Sequence, residues 1–399
     1  MSKQNFDTIL DFGSSKIRFA VFDNTLPKKN IISEEDCLTG LNIKNINFDK
    51  SEQLIEKLIK TSEKKFNTHL NNINIMIDTP DLFSIDVSIK NNFEGKKIDE
   101  EDIKYLLQEI KILIQNNYSG KKILHIILEK IIIDNKDYNF IPKEKISCKK
   151  LILEIKFICF SDLIYNKLIE HLKKNHISIN QIYCSSYVKS FNYNELFENY
   201  DKKIFLDIGY KKSCLTIYNK KRLILIKTVP LGGNHITRDI SQVLKITEEE
   251  AENLKKTLYQ SNVTFSDTND DDLKMDNELK NKLNDRISLD LLKQVIFARI
   301  EEIISLSFKD ANLPKLIEHK KNSILIFTGE GSKILNKNSI YLPEEFNFFE
   351  DINFFDETPV SICQAGYRFN KTENLYEVNI IPKKLKKSGF FERLFHFFN

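Results

Sequence analysis

Two segments of the chain align without a gap: residues 9–23 read ILDFGSSKIRFAVFD and residues 205–219 read FLDIGYKKSCLTIYN. The offset is constant, 196 residues for the aspartates (207 − 11) and for the glycines (209 − 13). Each copy has a β-rich run ending in Leu-Asp, a short glycine-containing turn and a second run with strand alternation, which reads as a hairpin. Two hairpins half a chain apart predict two homologous lobes. A strand ending in Asp and followed by a glycine turn sets a carboxylate beside backbone N–H groups. Such a turn can cradle phosphate while the Asp orients magnesium-bound water. Strands flank both turns and no GxxxxGK[ST] occurs, so neither is a P-loop.

A third element has related chemistry. Residues 323–327 read as a buried strand and run into Thr328-Gly329-Glu330-Gly331-Ser332, where a glycine turn lets backbone approach a flat ligand group closely.

Composition narrows the class. The 399 residues, 41% of them hydrophobic, suffice for several packed units, and 60 basic against 57 acidic residues leave a net charge of +3, too small to mark a nucleic-acid binder. Six cysteines without a CxxC pair and an N-terminus without an apolar signal core predict a reducing cytoplasm. No stretch is apolar over the ~20 residues needed to span a bilayer. The histidines form no metal motif, and the acidic loop at 266–278, although spaced like a calcium loop, has Asp272 where that loop needs glycine.

In the order hairpin, hairpin, strand and glycine turn, the chain resembles the actin, Hsp70 and sugar-kinase superfamily, and within it the FtsA-type division proteins. FtsA-like text also occurs at 122–134 (KILHIILEKIIID), 229–240 (VPLGGNHITRDI) and 251–255 (AENLK). The resemblance implies an α/β, actin-like two-lobed fold with duplicated ATPase halves, an FtsA-type 1C insertion and a C-terminal amphipathic helix. It implies lobe I at 1–83 and 161–199, the 1C-like insert at 84–160, and lobe II at 200–233 and 312–369. A helical 2B-like subdomain is expected at 234–311, a Lys-rich linker at 370–387 and the amphipathic helix at 388–399.

The resemblance further implies ATP in the interlobe cleft. Asp11, Gly13, Ser14, Ser15 and Lys16 correspond to the first phosphate loop, Asp207 and Gly209 to the second, and Gly329 and Gly331 to the adenosine turn. Gly232 and Gly233 are expected to approach the nucleotide, Glu252 and Lys255 its ribose or base, and Asp11 and Asp207 a magnesium ion through water. The second loop departs from the usual DIGGGT text, with Tyr210 and Lys211 where glycines are common, so weak ATPase activity or none is expected and no catalytic residue is assigned.

The expected partners are the C-terminal tail of FtsZ at Arg299 and Glu302, further copies of the chain in a head-to-tail polymer, other division proteins and anionic lipids. No nucleic acid is expected. Phe390, Phe391, Leu394, Phe395 and Phe398 fall on one helical face behind Lys383, Lys384, Lys386 and Lys387, the pattern of an interfacial membrane helix. Together these readings predict a peripheral protein on the cytoplasmic side of the bacterial inner membrane at the division site. The alternatives are a PilM-like assembly factor, which the tail argues against, and a sugar- or acetate-kinase-type phosphotransferase, for which no substrate base is identified.

Overall fold

Strand runs rich in Ile, Leu and Phe, cut by Asp-Gly turns, build two sheets of the same design. The computed structural model of the protein describes residues 6–23, 30–37, 48–70, 72–138, 140–174, 177–260, 288–309, 311, 322–335, 349–372 and 377. The acidic loop at 266–278 and the helix expected at 388–399 lie outside these residues.

The first sheet holds β1 (Phe6–Phe12), β2 (Lys16–Asp23), β3 (Asn30–Cys37), β4 (Asn72–Ile77) and β11 (Ser178–Cys184), in the order β11-β4-β1-β2-β3. The second holds β12 (Lys202–Ile208), β13 (Ser213–Asn219), β14 (Arg222–Val229), β15 (Ser323–Thr328) and β16 (Asp351–Phe354), in the order β14-β13-β12-β15-β16. In both, the first three strands form an antiparallel meander. The last two then add in parallel beside the first. The repeated text therefore occupies equivalent places in two topologically identical sheets.

Parallel strands need crossovers, which helices supply. In the first half these are α1 (Phe48–Phe66) and α3 (Asp162–Lys174), and α4 (Ser185–Asn194) and α8 (Pro359–Lys371) also pack there. In the second they are α5 (Gly233–Leu244), α6 (Glu248–Gln260) and α7 (Leu289–Phe308). The second core interleaves Leu206, Ile208, Leu215 and Phe327 from the sheet with Ile236, Ile240, Leu254, Ile296 and Ile300 from those helices.

The described residues form two compact units, one within 1–84 and 158–373 and the other within 85–157. The smaller unit contains most of β5 (Phe83–Asn92), β6 (Lys97–Ile98), α2 (Glu100–Asn117), β7 (Lys121–Ile133), β8 (Lys136–Tyr138), β9 (Ile146–Ser147) and most of β10 (Lys150–Ser161), with one sheet in the order β5-β10-β7-β8 and β6 paired with β9. Asp99 caps α2 in a reciprocal box with Asp102, and Ile103, Leu107, Ile110 and Ile114 form its buried stripe. Apolar residues at helical spacing over 98–114 and the strand-like apolar runs at 123–133 and 151–160 accordingly form the helix at 100–117 and the strands at 121–133 and 150–161.

Helix α8 lies against the first sheet through a glycine. A Cβ on Gly366 would stand 2.4 Å from Met76 Sδ and 3.0 Å from Ile9 Cγ2. One turn on, Phe369 packs edge-on against Tyr183, Tyr187 and Phe191 at centroid distances of 5.4–5.6 Å. Replacing Gly366 with Val drives the new side chain into Met76 and Ile9 and is expected to cost about 2 kcal/mol or more, measured by urea denaturation. Unchanged stability would show that the interface yields.

Candidate functional site

The two repeated turns close in the same way. Gly13 N–H donates to Lys16 O at 3.0 Å and Gly209 N–H donates to Lys212 O at 2.9 Å. These two N–H groups therefore fasten the turns and are not among the donors open to a ligand. The turns face each other: Lys211 N–H donates to Ser14 Oγ at 3.3 Å. Between them and the third turn lies an open cleft, lined among others by Asp11, Gly13, Ser14, Ser15, Asp207, Gly209, Tyr210 and Gly329.

The offset of 196 residues also makes Lys16 and Lys212 equivalent, and each reaches a carboxylate in the other half. Lys16 Nζ is 3.5 Å from Glu330, just beyond β15, and Lys212 Nζ is 2.7 Å from Asp78, just beyond β4. Strands β4 and β15 hold the same place in their sheets, so the two pairs are related by the duplication. The copies differ in one respect. Asp11 stands opposite Arg18 on the neighbouring strand and receives Nη1 at 2.9 Å, whereas Asp207 stands opposite Cys214 and takes its cation from Lys189 on α4, at 2.7 Å.

Helix α4 is the floor of the site. Ser186, Lys189 and Tyr193 recur at helical spacing on one face. Lys189 also pairs with Glu357 at 3.1 Å, and Glu357 accepts from Tyr193 Oη at 3.0 Å and from Gly329 N–H at 3.1 Å. Ser185 Oγ donates to Asp11 at 2.9 Å, and Ser186 donates to Asp78 through both N–H and Oγ. Burial works against the charge on Asp78, but Lys212, Ser186 and Cys184 outweigh it and bring its carboxyl down to about 2. Burial opposes Lys189 too, yet Asp207 and Glu357 hold it well above the usual ammonium range. Glu357 is pushed up by its burial, which Lys189 only partly offsets.

The third turn meets the second backbone to backbone. Gly329, at φ +86°, would place a Cβ 2.3 Å from Asp207 Oδ1, and Gly331 would place one 2.8 Å from Ile208 O. A Cβ on Gly232 would likewise stand 2.4 Å from Gly209 O. Gly233 N–H donates to Gly209 O at 2.9 Å and Asn234 N–H to Tyr210 O at 2.8 Å. The start of α5 thus braces the second turn through the N–H groups of Gly233 and Asn234. Glu252 and Lys255 sit beside that start: Lys255 Nζ bonds Gly233 O at 3.0 Å, Thr237 Oγ1 at 2.7 Å and Glu252 at 2.6 Å. Away from the cavity, Arg299 holds Asp239 of α5 and Glu302 of its own helix.

The motif pattern did not identify Arg18, Asp78, Ser185, Ser186, Lys189, Lys212 or Glu357 as site residues. Arg18 was findable as the residue opposite Asp11 in a hairpin, and Lys212 as the counterpart of Lys16. Asp78 and Glu357 carry no local signal.

Magnesium held through water was expected at Asp11 and Asp207, and the donor set does not fit it. Arg18 and Ser185 occupy the two oxygens of Asp11, and Lys189 and Ser186 share Oδ2 of Asp207. Each of the two aspartates therefore already has one of the chain's own cations beside it.

Comparison with known proteins agrees with the motifs. A family profile described as Cell division protein FtsA matches residues 204–339. The protein of that description from Bacillus subtilis (strain 168) is 23% identical over 317 residues, 77% of this chain and 69% of that protein. A second of the same description, from Borreliella burgdorferi, is covered over 64% of its length, so the chain spans about two thirds of these relatives. Among solved structures, the PilM-PilN type IV pilus biogenesis complex superposes with a TM-score of 0.58 at 9% identity, covering 89% of both chains. MreB5 of Spiroplasma citri bound to ADP gives 0.50 at 12%, covering 92% of this chain and 97% of that one. The structural likenesses show the fold, which is actin-like, and the resemblance to FtsA is borne out.

Replacing Asp78 with Asn leaves Lys212 buried without its counter-ion and is expected to cost about 3–5 kcal/mol; Asp78→Asn with Lys212→Met should recover most of it. The pair's contribution is present above the ordinary carboxylate range and is lost as pH falls from about 4 towards 2. The stability gap between wild type and Asp78→Asn, followed by denaturation, should therefore narrow over that interval. A gap unchanged by pH would mean that the pair does not stabilise the fold.

Proposed function

We propose that this FtsA relative is a division protein that binds ATP between its two halves, polymerises on the cytoplasmic face of the inner membrane and tethers FtsZ filaments there. The observation that carries the reading is the pair of equivalent Asp-Gly turns meeting across one cavity beside a third, glycine-hinged turn. Similarity to Cell division protein FtsA supports the division role.

The unit at 85–157 is assigned as the 1C-type insert, which gives an actin-like body a second surface for head-to-tail contact. Heterologous contacts of that kind extend into filaments when they do not close. Arg299 is assigned to the acidic tail of FtsZ. Its guanidinium is held in place by Asp239 and Glu302, and a pre-oriented fork favours a peptide carboxylate. Among the described residues no helix is long and apolar enough to cross a membrane. Attachment is assigned to the amphipathic pattern at 388–399, whose five or six large apolar side chains offer several kcal/mol, less the cost of ordering the helix. A single tail is then a reversible anchor, and polymerisation multiplies it through avidity.

The test is recruitment of FtsZ filaments to anionic vesicles by the full chain. Phe391→Glu with Phe395→Glu should leave both proteins in the supernatant while the chain stays folded. Arg299→Glu should keep the chain on the vesicles and release FtsZ. Vesicle binding that survives the tail substitutions would overturn the membrane assignment, and undiminished FtsZ recruitment by Arg299→Glu would overturn the partner site.

A further inference from the structure

A cleft that brings Asp11, Asp78, Asp207, Glu330 and Glu357 together must neutralise them. The cavity lining supplies Arg18, Lys189, Lys212 and Lys333. Two of these cations take the aspartates at which a hydrated divalent ion would be expected. Arg18 Nη1 lies 2.9 Å from Asp11 Oδ2, while Ser185 holds Oδ1. Lys189 Nζ lies 2.7 Å from Asp207 Oδ2 and 3.1 Å from Glu357 Oε1. On its other side Asp207 is closed by the third turn, since a Cβ on Gly329 would stand 2.3 Å from Oδ1.

We propose that Lys189, together with Arg18 and Lys212, is the resident counter-ion of this cleft and stands in for the divalent cation, so that a nucleoside triphosphate is held without magnesium. The inference rests on the nucleotide reading above and specifies how the phosphates are neutralised. Magnesium demands near-ideal octahedral geometry and keeps several waters. Seating it between Asp11 and Asp207 would set a divalent charge against the buried Arg18 guanidinium and Lys189 ammonium, cations that repel it, and would leave Lys189 with Glu357 as its one close carboxylate. An ammonium carries three donors, so Lys212 can hold Asp78 and a phosphoryl oxygen at once. Lys212 belongs to the second phosphate turn and reaches Asp78 of the first half. It therefore lies where a phosphate tail clasped between the turns would pass. Lys189 does between Asp207 and Glu357 what an ion and its water would do, from a helix that fixes it in place.

The test is calorimetric titration of the full chain with ATP, once in excess magnesium and once in excess EDTA. Wild type should bind with affinities equal within about threefold. Lys189→Met with Glu357→Gln removes the ammonium and one of its two carboxylates. That variant, checked for folding by circular dichroism, should bind at least about tenfold more tightly with magnesium than without. Wild-type affinity that falls more than about tenfold in EDTA would overturn the proposal and leave the nucleotide reading standing. No binding in either buffer would overturn both. A folded variant as indifferent to magnesium as wild type would remove Lys189 from the role, and if the variant does not fold the wild-type pair of titrations decides.

Discussion

Carboxylates from both halves of this protein meet at the base of one cleft, and a buried charge without a partner is among the most costly features a fold can carry. Lysines on the two equivalent turns cross to opposite halves, Lys16 to Glu330 and Lys212 to Asp78. Lys189, rising from α4, ties Asp207 to Glu357. The duplicated sheets bring the turns face to face, and these pairs make the meeting tolerable. Most other close packing around the cleft, including the glycine contacts of Gly232, Gly329 and Gly331, serves to keep the turns at that distance.

The duplication explains both what the halves share and where they diverge. Strand order, turn closure and crossed lysines are common to both. The neutralising cation differs, because the place of Arg18 in the first hairpin is taken by Cys214 in the second. Burial pushes the Cys214 thiol up to about 12, so it supplies no charge of either sign. The cation for Asp207 then comes from a helix outside the repeat, which makes α4 the element through which the halves share one site. Ser190 Oγ and Tyr218 Oη, 2.9 Å apart and buried, add a second polar link between α4 and β13.

Much of this was legible in the sequence because hairpins are local. An Asp, a glycine turn and an alternating strand lie within about fifteen residues, and their recurrence at a fixed offset points to two lobes without any tertiary information. The long strands and helix of the smaller unit were legible from periodicity for the same reason. The ion pairs were not. Asp78, Lys189 and Glu357 come from three elements far apart in the chain, and a lone carboxylate after a strand looks like any surface Asp. Gly233, Glu252 and Lys255, expected at the nucleotide, have polar groups that bond the second turn or one another. A motif gives proximity, whereas the direction of a donor depends on packing that no short pattern contains.

The central claim is that three separate turns act as one nucleotide site. Hydrogen exchange of the full chain, read by mass spectrometry with and without ATP, tests it most directly, because each turn reports independently. The account predicts added protection in peptides covering residues 11–18, 207–214 and 329–335 together, with peptides from 85–157 unchanged. Protection at one turn alone, or at none of them under conditions where ATP is bound, would contradict it.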